Sequence, residues 1–158
     1  GNYKMKPKIC IVVSKFNVNI TTKIQNGAIH KLLDMGIPRK HIKIIHVNGS
    51  FEIPYAISKL IRKYKGFIAA GCIIKGETPN FDFISQAITN GIMQLTISHY
   101  KPIGNAIITC FNEKQANIRS AIKGEEAASA VLDALNTLYY QCTSHSGMAG
   151  TMTIYPSI

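Results

Sequence analysis

The chain has 158 residues, enough for one compact domain that buries roughly two thirds of its unfolded surface without disulfide or metal staples. Apolar residues make up 46% and charged residues 16%, which excludes a disordered segment. The longest apolar runs stop short of the roughly 18–20 residues of a membrane span, and the segment GNYKMKPK has no signal-peptide character. The expectation is a cytoplasmic protein with no membrane partner. Residues 1–140 are expected to form the domain, and 141–158 a tail, mobile or docked on a neighbour.

The elements alternate along the chain. Lys8 to Val13 is a continuous apolar run, as in a strand buried on both faces. Ile24, Ala28, Leu32 and Met35 then recur at helical spacing, and Gly36 and Pro38 predict the stop. His41 to Val47 reads as a second strand. Pro54 suits a helix's first turn, and Ile57, Leu60, Ile61 and Tyr64 give that helix an apolar face closed by Gly66. Phe67 to Ile74 is a third strand, Phe81 to His99 a long helix, and Asn105 to Cys110 a fourth strand. Asn112 with Gln115 suggests a capping box opening a short helix, and another helix is expected from about Gly124 to Tyr139. Four strand–helix units predict a four-stranded parallel sheet in a three-layer α/β/α domain.

Cysteines 10, 72, 110 and 142 include no Cys-x-x-Cys pair, and the five histidines have no metal-ligand spacing. No metal is expected. The net charge of +10 fits an anionic small-molecule substrate or a plain solvated surface. The Lys and Arg residues form no run of five and are not interleaved with aromatics, so no nucleic-acid partner is expected.

In an open parallel sheet, ligands bind beyond the carboxyl ends of the strands. Those ends are SKFN, VNGSFEIP, IKGETPNFDF and CFNEKQ. Gly76, Thr78 and Lys75 suit an anion at the following helix start, or an ordinary capped connection. Glu52 suits a polyhydroxyl ligand or the positive end of a helix. Phe16 suits stacking on a flat heterocycle or a place in the core. Arg119 and Lys123 suit a phosphate or a solvated face.

In this order and spacing, SKFN, VNGSFEIP, GCIIKGETPNFDF, NEKQANIRS and KGEEAA resemble the 6,7-dimethyl-8-ribityllumazine synthase family from about residue 8 to 138. The resemblance implies a flavodoxin-like fold and an enzyme of riboflavin biosynthesis. Its reaction joins 5-amino-6-(D-ribitylamino)uracil to 3,4-dihydroxy-2-butanone 4-phosphate and uses no cofactor. It places Phe16 on the pyrimidine ring, Ser50, Phe51 and Glu52 around the pyrimidine substrate and its ribityl chain, and Cys72, Ile73 and Ile74 along the ring pocket. Glu77, Thr78 and Arg119 fall at phosphate-binding positions, with Asn17 and Lys123 in support. The resemblance also implies a homo-oligomer, pentameric or built from pentamers, in which Asn105 and Arg119 reach a neighbour's site.

Three departures from the family pattern stand out. Asn80 occupies the position of the family's proton-transferring histidine, and Asn does not titrate near neutral pH. Asn105 stands where the family often has Phe. The link from Arg119 to Lys123 is shorter than in many relatives. Two other readings remain open: a non-catalytic relative that binds lumazine or flavin or serves as a scaffold, and an unrelated flavodoxin-like binder of nucleotide or nucleic acid.

Overall fold

The computed structural model describes residues 6–77 and 79–144, from 137 onward by the backbone alone. Thr78 and residues 145–158 lie outside the described residues, and with them most of the expected tail. The elements are β1 (Ile9–Ser14), α1 (Val18–Asp34), β2 (Ile42–Val47), α2 (Ile53–Leu60), β3 (Gly66–Ile74), α3 (Phe81–His99), β4 (Ile103–Cys110) and α4 (Glu113–Ser144). All strands are parallel, in the order β2-β1-β3-β4. The expected flavodoxin-like α/β/α layering is present.

Every residue of β1 and β3 is buried, which is why both read as unbroken apolar runs. Alternate side chains serve different layers. Ile9, Ile11, Val13, Ile68 and Ala70 pack under α1 and α4, against Ile24, Leu32, Ala128 and Leu132. Cys10, Val12, Phe67 and Ala69 pack under α2 and α3, against Ile53, Ile57, Ile88 and Ile92. Each Ile, Leu, Val or Phe among them contributes roughly 1.5–3 kcal/mol by leaving water. The sheet is therefore held from both sides, and its loops start from fixed points.

Helix α1 stops as its sequence predicts. Gly36 adopts φ 96. The Gly36 N–H donates to the Leu33 carbonyl and the Ile37 N–H to the Leu32 carbonyl, both at 3.0 Å, which closes a Schellman cap.

The C-terminal part differs from the expectation. The short helix at Asn112 and the later helix from Gly124 are one continuous α4 that runs through Ser144. Gly124 lies inside it and meets α1: a Cβ there would strike the Ile24 carbonyl oxygen. Gly27 of α1 makes the reciprocal approach to the Ala121 carbonyl. Gly124 is thus a crossing point between two helices and not the helix start expected from the sequence. Gly66 begins β3 instead of closing α2, and a Cβ on it would meet Val131.

Candidate active site

The carboxyl ends of β1, β2 and β3 meet in an open hollow of about 160 Å³. The strand ladder continues into the loops and sets its walls. Beyond β1, the Lys15 N–H donates to the Val47 carbonyl at 2.8 Å and the Phe16 N–H to the Asn48 carbonyl at 3.0 Å. Phe16 is thereby fixed beside Gly49, Ser50 and Phe51, opposite Cys72, Ile73 and Ile74. Phe16 is 58% exposed and Phe51 62% exposed, so neither is a core residue. Glu77 and Ile84 complete the wall.

Asn17 holds the hollow's rim together. It adopts the left-handed conformation, φ 61 and ψ 48, at the N-cap of α1, yet its side chain makes no cap hydrogen bond. Its Nδ2 instead donates to the Cys72 carbonyl at 3.2 Å and to Glu77 Oε2 at 3.3 Å. Gly76, at φ 100, turns the chain between β3 and Glu77. Thr21 fastens the exit of β1, its hydroxyl donating to the Ser14 carbonyl at 2.7 Å.

Glu52 Oε2 accepts the Gly49 N–H at 3.0 Å, which rigidifies the turn that presents Ser50 and Phe51. The Ser50 hydroxyl is buried without a hydrogen-bond partner and lies against Gly71, where a Cβ would collide with it. Burial, then the neighbouring Cys110 and Glu77, push the Cys72 thiol up to about 12. It stays protonated at neutral pH and offers no nucleophile.

The remaining expected residues are not among those that line this hollow. Asn80 caps α3 with φ −110, and its carbonyl accepts the Ile84 N–H at 2.8 Å. Arg119 is exposed on α4 and lines a second hollow of about 380 Å³ with Phe111, Gln115 and Ile118. Lys123 is half-buried one turn further on. Asn105 is exposed on the edge strand β4, where its Oδ1 accepts the Ile107 N–H at 3.0 Å. It pairs with Ala69, well below the strand end that lines the first hollow. Lys75, at the exit of β3, stands 5.5 Å over the Phe111 ring. Among the described residues the wall of the first hollow has no Lys or Arg, and Glu77 is its one charged residue.

Gly49 and Ile84 line the hollow without having been expected there. Gly49 lies inside the motif that supplies Ser50, and Ile84 falls one helical turn after Asn80; both signals were present in the sequence.

A parallel α/β/α sheet with a mostly apolar hollow at its carboxyl edge defines a flavodoxin-like domain, its hollow at the edge where open α/β sheets hold ligands. The comparisons narrow that class. The family model for 6,7-dimethyl-8-ribityllumazine synthase matches residues 6–139. The chain is 38% identical over 135 residues to a 6,7-dimethyl-8-ribityllumazine synthase of Acidovorax ebreus, covering 84% of this chain and 88% of that protein. It is 37% identical over 138 residues to 6,7-dimethyl-8-ribityllumazine synthase 1 of Caulobacter vibrioides, covering 84% and 90%. With the Porphyromonas gingivalis synthase it shares 37% over 131 residues, 81% of each chain. The chain belongs to the 6,7-dimethyl-8-ribityllumazine synthase family.

Proposed function

We propose that this chain condenses 5-amino-6-(D-ribitylamino)uracil with 3,4-dihydroxy-2-butanone 4-phosphate to give 6,7-dimethyl-8-ribityllumazine and phosphate. The observation that carries the reading is the convergence of Phe16, Ser50, Phe51, Cys72, Ile73, Ile74 and Glu77 on one hollow in a member of this family. Phe16 stacks on the pyrimidine. The backbone around Ser50, Phe51, Ile73 and Ile74 holds the ring edge, and Glu52 faces the ribityl hydroxyls.

The substrate amine attacks the ketone and a Schiff base forms with loss of water. Phosphate is then eliminated, the enol left behind tautomerises to a carbonyl, and the ribityl-bearing amine attacks that carbonyl and closes the ring with loss of a second water. Positioning two substrates side by side supplies much of the rate. Glu77 and Thr78 cradle the phosphate end, and Arg119 pairs with its charge. Asn80 orients a water or a substrate hydroxyl in place of a titrating imidazole.

We further propose that the working form is a homo-oligomer, a pentamer or an assembly of pentamers, in the cytoplasm. A hollow of about 160 Å³ is smaller than ligand clefts of roughly 300–1,000 Å³. Among the described residues its wall holds no cation for the phosphate, while Arg119 stands exposed elsewhere on the same chain. A neighbour's Arg119 and Asn105 supply what is missing. Exposed Phe83, Met93 and Ile97 on α3, and Ile118 and Ile122 on α4, give apolar surface for such contacts.

The second reading, a family member that binds lumazine or flavin without turnover, is favoured by Asn80 alone. One experiment separates the two: the purified protein is given both substrates, and lumazine and phosphate are quantified. Ligand binding without product formation supports the second reading.

A further inference from the structure

The two ends of the sheet differ in charge. Because the strands are parallel, their amino ends and the foot of α2 form one end of the molecule, opposite the hollow. The segments 6–8, 39–43, 59–65 and 101 meet there. The His41 ring Nδ1 lies 2.7 Å from the Lys6 carbonyl oxygen. The Lys65 N–H donates to the Lys8 carbonyl at 2.9 Å, and Lys101 Nζ to the Tyr64 carbonyl at 2.8 Å.

These segments hold ten of the chain's 18 Lys and Arg residues and none of its 8 Asp and Glu residues. All ten are exposed except Lys101, which is half-buried. Asp34 ends α1 at this same end of the sheet, on the other layer, and Asp133 belongs to α4. Among the described residues the one ion pair is His30–Glu125, at 3.5 Å, so these cations have no carboxylate partner there. Burial, and then Lys65, hold the Lys101 ammonium below its usual pKa. The charges at this end crowd one another, and a bound anion relieves that repulsion.

Tyr100 adds a second feature. It follows α3 in the left-handed conformation, φ 55, and is 83% exposed beside Lys101. A free aromatic face next to cations is the combination that holds a single strand: phosphates pair with the charges and a base stacks on the ring. Stable anchoring on a lipid surface takes buried apolar area besides the attraction of cations to anionic lipids. Apart from Tyr100 beside Lys101, no exposed large apolar side chain among the described residues lies in or next in sequence to the four basic segments.

We propose that this basic end binds single-stranded nucleic acid, with phosphates across Lys8, Arg62 and Lys65 and a base stacked on Tyr100. The face lies away from the hollow and does not depend on the proposed chemistry.

The test is fluorescence anisotropy of the full chain with a labelled single-stranded RNA of roughly 20 nucleotides, longer than typical footprints. Log affinity should fall linearly with log salt, by about 0.7 for each phosphate contacted. Arg62→Glu with Lys65→Glu should lower affinity at least about tenfold near 0.1 M salt, since each lost contact costs a factor of about five relative to 1 M. Lys23→Glu with Lys114→Glu makes the same change in net charge elsewhere and should cost less than about threefold. Tyr100→Ala should cost at least about fivefold and leave the salt slope unchanged. The milder Arg62→Gln with Lys65→Gln should give an intermediate loss with an unaltered circular dichroism spectrum. Absence of binding at about 50 mM salt overturns the proposal, as does an equal loss from the two double reversals. Tighter binding to phosphatidylserine vesicles than to the RNA assigns the face to membranes and overturns it too.

Discussion

Asn17 Nδ2 donates to Glu77 Oε2 at 3.3 Å across the rim of the hollow, joining the loop after β1 to the loop after β3. The same nitrogen donates to the Cys72 carbonyl at 3.2 Å. These two bonds replace the N-cap bond that Asn usually makes at the start of a helix. The side chain sacrifices local helix stability to hold the site's two halves in register. The left-handed backbone aims it there, and Asn is one of the few non-glycine residues that tolerates that region.

Asn17→Ala should therefore destabilise the fold by about 1–3 kcal/mol, from lost hydrogen bonds and left-handed strain. Asn17→Gly should recover the strain but not the bonds. Urea denaturation of both variants separates the contributions. KM for both substrates should rise in Asn17→Gly, because the rim loosens whether or not the backbone is relaxed.

Arg119→Ala should weaken binding of the butanone phosphate far more than binding of the pyrimidine, since the anion loses its charge partner. Arg119→Lys should restore part of the loss, lacking the planar fork. Isothermal titration with each substrate makes the comparison. Co-assembling Arg119→Ala with Phe16→Ala should regain activity at sites that combine an intact Phe16 with a neighbour's intact Arg119. Failure to regain any activity in verified mixed assemblies argues against a shared site.

Asn80→His should raise kcat with little change in KM, because a positioned acid or base contributes about 10²–10⁴-fold and acts in the transition state. The wild-type pH–rate profile should lack a limb near the imidazole pKa of about 6.5, and the variant should acquire one. A lower kcat in Asn80→His would mean that protons move through other groups.

Gly124→Ala should destabilise by about 1–3 kcal/mol, since its methyl group meets the Ile24 carbonyl of α1. In an exposed helix the same change stabilises by about 1 kcal/mol. The sign of the shift in thermal unfolding distinguishes the packed crossing from a solvated one.

The sheet was legible because β1 and β3 are buried on both faces and must be apolar throughout. Helix α3 was legible from Ile84, Ile88, Ile92 and Leu95. Helix α4 was split in reading because Gly124 looks like punctuation, and its packing reason sits on another helix. Phe16 had two readings that sequence cannot separate; its exposure follows from the ladder bonds beyond β1. The motif residues on the first three strand ends come together, because topology alone brings those ends to one edge. Arg119 and Asn105 do not join them within the chain, since α4 and the lower part of β4 face elsewhere. The basic end was hidden for a similar reason: its cations come from segments far apart in sequence.

The most direct test of the central claim is a steady-state assay of the purified wild-type protein with both substrates, following lumazine and inorganic phosphate together. The account predicts one phosphate released per lumazine formed, at a rate that depends on the concentrations of both substrates. Tight binding of the pyrimidine with no lumazine above the uncatalysed rate would contradict it.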